Sequence, residues 1–147
     1  MLQFGQPRPD LTYRVRPTAF GLVLRDGLLA CVRVERETGP YFDLPGGAVD
    51  GQETEPQALA REFLEEAGLE VAPGERLCEA GQYFRRTDGE ALNNTGGYWT
   101  AVVTAERPEA QCEADHTLVW LEPSVAIAQL RHDAHAWAVA VWMRHTN

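Results

Sequence analysis

Cysteine is scarce in this chain, and the three present, Cys31, Cys78 and Cys112, stand far apart with no CxxC pair. That excludes a disulfide framework or a zinc knuckle as the organising device and marks them as small buried or incidental thiols. Long apolar runs are missing too: the longest, Ala136 to Met143, falls well short of the roughly 20 residues that a spanning helix needs, so no membrane crossing is expected. The N-terminal stretch MLQFGQPRPDLTYRVR has no basic region leading into an apolar core; no secretory signal is expected, and the default location is cytoplasmic. Positive charge is in deficit, with 13 Lys+Arg against 22 Asp+Glu and a formal net charge of −9. This disfavours long nucleic acid as a partner, because phosphate contacts on a duplex come mainly from basic side chains. Small phosphorylated ligands remain compatible where a metal supplies positive charge. Repeats and low-complexity tracts are also absent.

What is present is an ordinary globular composition, 44% hydrophobic and 24% charged over 147 residues. Residues 1–147 are most simply one domain, long enough to bury roughly 68–70% of the unfolded surface. Thr12 to Arg25 and Leu28 to Val34 favour strands joined by the hairpin signal Asp26-Gly27, with Pro17 at an edge or bulge. Leu77 to Arg86 and Gly97 to Thr104 read as two more strands, separated by Thr87-Asp88-Gly89 and by a loop through Asn93-Asn94-Thr95-Gly96. Leu118 to Leu121 reads as a short strand, Pro123 to Leu130 as a helix, and Asp133 to Arg144 as a terminal helix with Trp137 and Val141 on one stripe. Strands interleaved with helices suggest an α/β protein, a mixed sheet with helices on both sides.

The segment Gly47 to Leu69, GAVDGQETEPQALAREFLEEAGL, concentrates the chemistry. Thr54 and Gln57 are spaced as a capping box, Pro56 suits a first turn, and Gly68 suits a left-handed stop, so a helix is expected from Glu55 to Ala67. Leu59, Ala60, Phe63, Leu64 and Ala67 form its apolar face, while Gln57, Arg61, Glu62, Glu65 and Glu66 fall on the other. Glu62, Glu65 and Glu66 sit at i, i+3 and i+4, where like charges cost about 0.2–0.5 kcal/mol per pair. A hard divalent cation such as Mg²⁺ or Mn²⁺ would relieve that repulsion, since both prefer oxygen ligands. A solvated acidic helix face is the plainer alternative.

The full spacing decides between them. Gly47, five residues, Glu53, seven residues, then Arg61-Glu62-Phe63-Leu64-Glu65-Glu66-Ala67-Gly68-Leu69 resembles a complete Nudix box, G-x5-E-x7-R-E-U-x-E-E-x-G-U, with every specified position matched. The resemblance implies a Nudix-type α/β/α sandwich and a Mg²⁺- or Mn²⁺-dependent pyrophosphohydrolase acting on a nucleoside diphosphate linked to another group. It implies Glu62, Glu65 and Glu66 as metal ligands, the Gly46 carbonyl as a further one, and a bracing pair of Glu53 and Arg61. It also makes a homodimer an option that the sequence leaves open.

Many members of that family recruit an acid from outside the box as ligand or base. Glu113 is the first candidate here and Asp115 the second, each with the alternative of a solvated loop acid. For the substrate, Arg85 and Arg86 suit phosphate, and Phe42 and Tyr83, with Tyr41, Phe84, Tyr98 and Trp99, include rings able to stack on a base. Alternation along strands sends about half of such rings to the core. Arg85 stands where the ADP-ribose subgroup would show proline, and Tyr83 lies slightly early for the diadenosine polyphosphate subgroup, so the substrate stays open. His132 and His135 are expected as surface or helix-capping residues rather than zinc ligands. The rival reading is a catalytically silent nucleotide-binding or sensor module on the same fold. A diphosphate isomerase would need a catalytic cysteine that cannot be placed here.

Overall fold

A computed structural model describes residues 1–146 of the chain. The elements in order are β1 (Leu2–Phe4), β2 (Arg14–Arg25), β3 (Leu28–Val34), β4 (Tyr41–Asp43), β5 (Gly46–Ala48), α1 (Glu55–Ala67), β6 (Leu69–Arg85), β7 (Ala91–Glu106), a 3-10 turn (Pro108–Ala110), β8 (His116–Leu121), α2 (Pro123–Gln129) and α3 (Asp133–His145). The sheet runs β1-β6-β7-β2-β3-β4, with β5 also on β2 and β8 also on β3. It is mixed: β2 lies parallel to β7, and β1 parallel to β6, while β6 and β7 are antiparallel. Strand alternation divides the core into two layers. Ala19 and Val23 of β2, with Ala30, Val32 and Val34 of β3, pack on Leu59 and Phe63 of α1. Phe20, Leu22, Leu29 and Cys31 face the other way, onto Ala126 of α2 and Ala134, Ala138 and Val139 of α3. The result is an α/β/α sandwich. No helix among the described residues is long and apolar enough to cross a membrane.

The hairpin turn forms as its residues require. Asp26 and Gly27 both have positive φ, 55° and 78°, the combination that matches the twist of two antiparallel strands. The pairing that follows is shallow, however, ending after Leu24↔Leu29 and Arg25↔Leu28. Beyond it β5 takes the freed edge of β2, with Thr18↔Ala48 and Phe20↔Gly46 in register, and Gly21 N–H donates to the Pro45 carbonyl at 2.9 Å. β3 instead pairs with β8 from Leu29 to Val34. The sheet is thereby split between β2 with β5 and β3 with β4, and a cleft of about 240 Å³ opens there. Pro17 sits at the end of the β5 pairing, where its carbonyl accepts from Val49 N–H.

Four expectations need correction. Asn93 to Gly96 is the interior of β7 and not a loop; its amides are buried and bonded, Asn93 to Gln3 at 2.9 Å and Asn94 to Arg16 at 2.9 Å. Polar residues there fill a sheet position because side-chain partners satisfy them. β6 starts at Leu69, directly after the helix stop, and crosses irregularities at Glu70/Val71 and between Pro73 and Cys78. His132 and His135 are buried, 6% and 2% exposed. In α3 the buried stripe is Ala134, His135, Ala138 and Val139, so Val141 is not on it, while Trp137 packs against Phe4 with ring centroids 5.7 Å apart.

Candidate active site

Helix α1 spans Glu55–Ala67, with both halves of the Thr54/Gln57 capping box made and Gly68 left-handed at φ 64°. Its buried residues are Ala58, Leu59, Phe63, Glu66 and Ala67. Ala60 and Leu64 are only partly covered, so Glu66 belongs to the inward stripe of Leu59 and Phe63 rather than to the polar face. Steps of four and then three residues bring its carboxylate to the edge of the core. Two groups meet it there: Gly46 N–H donates to Glu66 Oε1 at 2.9 Å, and His116 Nε2 lies 3.4 Å from Oε2. Burial raises the Glu66 carboxyl above its ordinary range, countered by His116 and the Gly46 amide.

Glu62 is one turn back and also largely covered. Burial first, then the neighbouring Glu66 and Glu65 against the pull of Arg61, pushes its carboxyl up to about 7. Gly47 lies so near that a Cβ there would come within 2.9 Å of Glu62 Oε1. Gly46, at φ 141°, would drive a Cβ into the Ala19 carbonyl oxygen. Gly47 therefore lets the backbone approach the Glu62 carboxylate, and Gly46 lets it approach β2.

Arg61 binds the segment together. It donates to Glu53 at 2.7 and 3.0 Å, to Glu62 and Glu65 at 3.2 Å each, and to the Ala48 carbonyl at 3.0 Å. Glu53 also accepts from Asp50 N–H at 2.8 Å. Hydrogen bonds from Arg61 and from that amide hold its carboxyl down to about 2. The planar guanidinium suits this task because its donors fan out in a fixed plane.

The backbone N–H groups of Cys112 and Glu113 both donate to the Glu65 carbonyl, so the 112–116 segment is anchored to α1. His116 there is a residue that sequence reasoning passed over among four scattered histidines. Its ring bonds Asp115 at 2.9 Å. Burial works against its charge, yet Glu66 and Asp115 together lift it to about 9, so it is cationic at neutral pH. Among the described residues, Glu113, Asp115 and His116 form a group whose ligating atoms all lie within 4.8 Å of one another. The three box glutamates are more spread, with Glu65 turned to Arg61.

Across the cleft the lining changes sign: Arg16, Arg36, Arg86 and Arg131 contribute, with Tyr41, Phe84 and His132 between them. Asp43 fixes Arg131 through contacts of 2.9 and 3.3 Å, with the guanidinium 3.7 Å above the Tyr41 ring and 5.5 Å from that of Phe84. Arg86 is paired with Asp88 and Glu90, and Arg36 with Asp115. Of the four residues singled out above for substrate, Arg86 lines this cleft and the other three do not. Arg85 is exposed and bonds its own turn at the Gly89 carbonyl. Tyr83 packs edge-on against Tyr13, and Phe42 packs into the α2/α3 core. Tyr98 is buried, and Trp99 donates to Glu55 at 2.8 Å.

The donor set suits a hard divalent cation. Glu62 and Glu66 offer oxygen, with Glu65 on the same helix, and Arg61 and His116 lie beside them as counter-charge. All-oxygen sites suit hard divalent cations.

No curated protein sequence matches the chain. Solved structures do. A NUDIX hydrolase from Nitrosomonas europaea superposes with a TM-score of 0.76 at 17% identity, covering 90% of each chain. A MutT protein from Methanosarcina mazei Go1 gives 0.69 at 18% identity, over 94% of this chain and 99% of its own. An ADP-ribose pyrophosphatase from Streptococcus suis 89-1591 gives 0.62 at 13%, over 90% and 92%. At such identities these likenesses speak for the fold. The NUDIX domain model, however, matches residues 14–143, from the start of β2 to the last turns of α3 and through every residue of the acidic site. The chain belongs to the Nudix family.

Proposed function

We propose that the protein is a Mg²⁺- or Mn²⁺-dependent pyrophosphohydrolase that cleaves a phosphoanhydride bond in a nucleoside diphosphate linked to another moiety, with residues 1–147 acting as one catalytic domain. One observation carries the reading: a single cleft has the partly buried Glu62 and the buried Glu66 on one wall and a row of arginines on the other. A diphosphate lying between them meets a metal-binding wall on one side and cationic donors on the other. Structural neighbours named ADP-ribose pyrophosphatase and UDP-X diphosphatase are consistent with substrates of this class.

Glu62, Glu65 and Glu66 would hold the ion, with the Gly46 carbonyl beside them. A divalent ion held there would supply charge neutralisation at the diphosphate and would favour deprotonation of water. A carboxylate of this wall, or Glu113 from the adjoining segment, would orient the attacking water and take its proton as general base. Arg61 and Glu53 keep the helix and the Gly47 loop in register so that the carboxylates stay in place. Arg86 meets phosphate oxygens, for which an arginine fork is suited.

The test is a screen of purified protein with Mg²⁺ or Mn²⁺ against nucleoside triphosphates, ADP-ribose, nucleotide sugars and dinucleoside polyphosphates, with Glu66→Gln run in parallel. Metal-dependent release of phosphate or nucleotide that the variant loses is the expected result. Saturable binding without turnover of any of them would overturn it in favour of a sensor module.

A further inference from the structure

Two groups in the cleft are left without the partners that their burial calls for. Arg16 is half-buried, yet its one side-chain bond is from Nε to the side-chain Oδ1 of Asn94 at 2.9 Å. The other cleft arginines each face a carboxylate; among the described residues Arg16 faces none within salt-bridge distance. Its charge is disfavoured by burial and by the nearby Arg86 and Arg14, and favoured by Glu62. His132 is 6% exposed, and its Nε2 is the one buried side-chain polar atom among the described residues with no hydrogen-bond partner. Its ring is held edge-on by Phe84 at 4.8 Å and His135 at 5.4 Å. Burial and the surrounding cations press its pKa to about 2, so it is a neutral imidazole that can donate from one nitrogen and accept at the other. An unmade buried hydrogen bond is destabilising, and both groups line the cleft, where a ligand can complete them.

We propose that Arg16 and His132 form a specificity-determining pair that reads the half of the substrate facing away from the metal wall, Arg16 taking the charge of a phosphate and His132 a neutral hydrogen bond from the nucleoside attached to it. The proposal rests on the function proposed above and narrows it. The preferred substrate carries a nucleoside ester next to the phosphate at Arg16, so bare inorganic pyrophosphate or an alkyl diphosphate engages only half of the pair. Asn94 orients the guanidinium from β7, and the packing of Phe84 and His135 fixes the imidazole, so both groups are preset before a ligand arrives.

Two probes separate the contributions: inorganic pyrophosphate and a non-hydrolysable methylene analogue of a nucleoside diphosphate, with affinities measured by calorimetry on wild type, Arg16→Met, His132→Phe and His132→Gln. Arg16→Met should weaken both probes at least tenfold. His132→Phe should weaken the nucleotide analogue at least tenfold and leave pyrophosphate within twofold, with His132→Gln recovering part of the loss. Melting temperatures of the variants establish that each is folded; the Gln variant carries the test if Phe does not fold. Unchanged affinity for the analogue in both Arg16→Met and His132→Phe overturns the pair, as does failure of wild type to bind the analogue. If wild type binds the analogue through this pair but hydrolyses nothing in the screen, the hydrolase reading fails and the pair stands. If turnover proceeds with KM unchanged in both variants, the reverse holds.

Discussion

The two walls of the cleft are built in opposite ways. The acidic wall comes mainly from one helix and the loop before it, residues 46–66, with Arg61 alone touching Glu53, Glu62, Glu65 and Ala48. The basic wall is collected from β2, β4, β6, β7 and the turn before α3, with Arg16, Phe84, Asn94 and His132 each on a different element. The first wall is largely local in sequence. The second depends on the sheet being paired in the right register. On the proposed function, metal and reaction therefore belong to a compact cassette, and substrate choice to the tertiary fold.

The strongest way to break that division is through Glu62. Glu62→Gln should lower turnover by about 10²–10⁴-fold, the range for losing a group that organises the reacting centre, while metal-free binding of a methylene nucleotide analogue stays near wild type. If the variant loses that binding as well, the walls are not separable. Next in size is an effect of pH on the buried histidines behind the basic wall. His135 accepts from Leu44 N–H at 3.3 Å, and burial depresses its pKa from 6.5 to about 4. Between those values the unfolded chain binds the proton that the native state refuses, so stability falls as pH drops from about 6.5 towards 4. The full effect is about 3 kcal/mol for a shift of this size, and His132 acts in the same direction. Denaturant unfolding across that pH range should show the slope, flattened in His135→Asn; equal slopes in the two proteins would remove His135 as the cause. The smallest of the three concerns the cassette. Arg61→Met should cost about 10–100-fold in Mg²⁺ affinity, as expected for a residue acting through the ligands, with KM for substrate at saturating metal little changed. A variant with wild-type metal affinity would show that the helix holds its carboxylates unaided.

What could be read from the residues follows the same line. Thr54, Gln57, Pro56 and Gly68 state the limits of α1 through contacts three or four residues long, and the helix has those limits. Its inward face was harder to read, because Glu66 is a carboxylate in an apolar row, tolerated only since Gly46 and His116, far away in sequence, satisfy it. Asn93 to Gly96 carries every local mark of a loop, yet the partners that make it a strand are Gln3, Arg16 and the β2 backbone. The same holds for His132 and His135, whose burial is decided by Phe20, Phe84 and Tyr98 packing around them. Aromatic and arginine candidates for substrate divided according to which face of β4 and β6 each occupies: Tyr41 and Phe84 point to the cleft, Phe42 and Tyr83 away. Sequence shows the alternation and leaves its phase undetermined.

The short hairpin between β2 and β3 has one more consequence. Because β2 leaves β3 after two pairs, its two edges are occupied by β7 over Arg14–Val23 and by β5 over Thr18–Phe20. One strand thus serves as a common ruler: on one side it aligns Gly46 and Gly47 with Glu66 and Glu62, and on the other it aligns Arg16 with Asn94. A slip of a single residue along β7 would turn the side chains of β2 to the opposite layer, taking Arg16 from Asn94 and Ala19, Phe20, Leu22 and Val23 from their cores together. The register of one strand therefore fixes both walls at once.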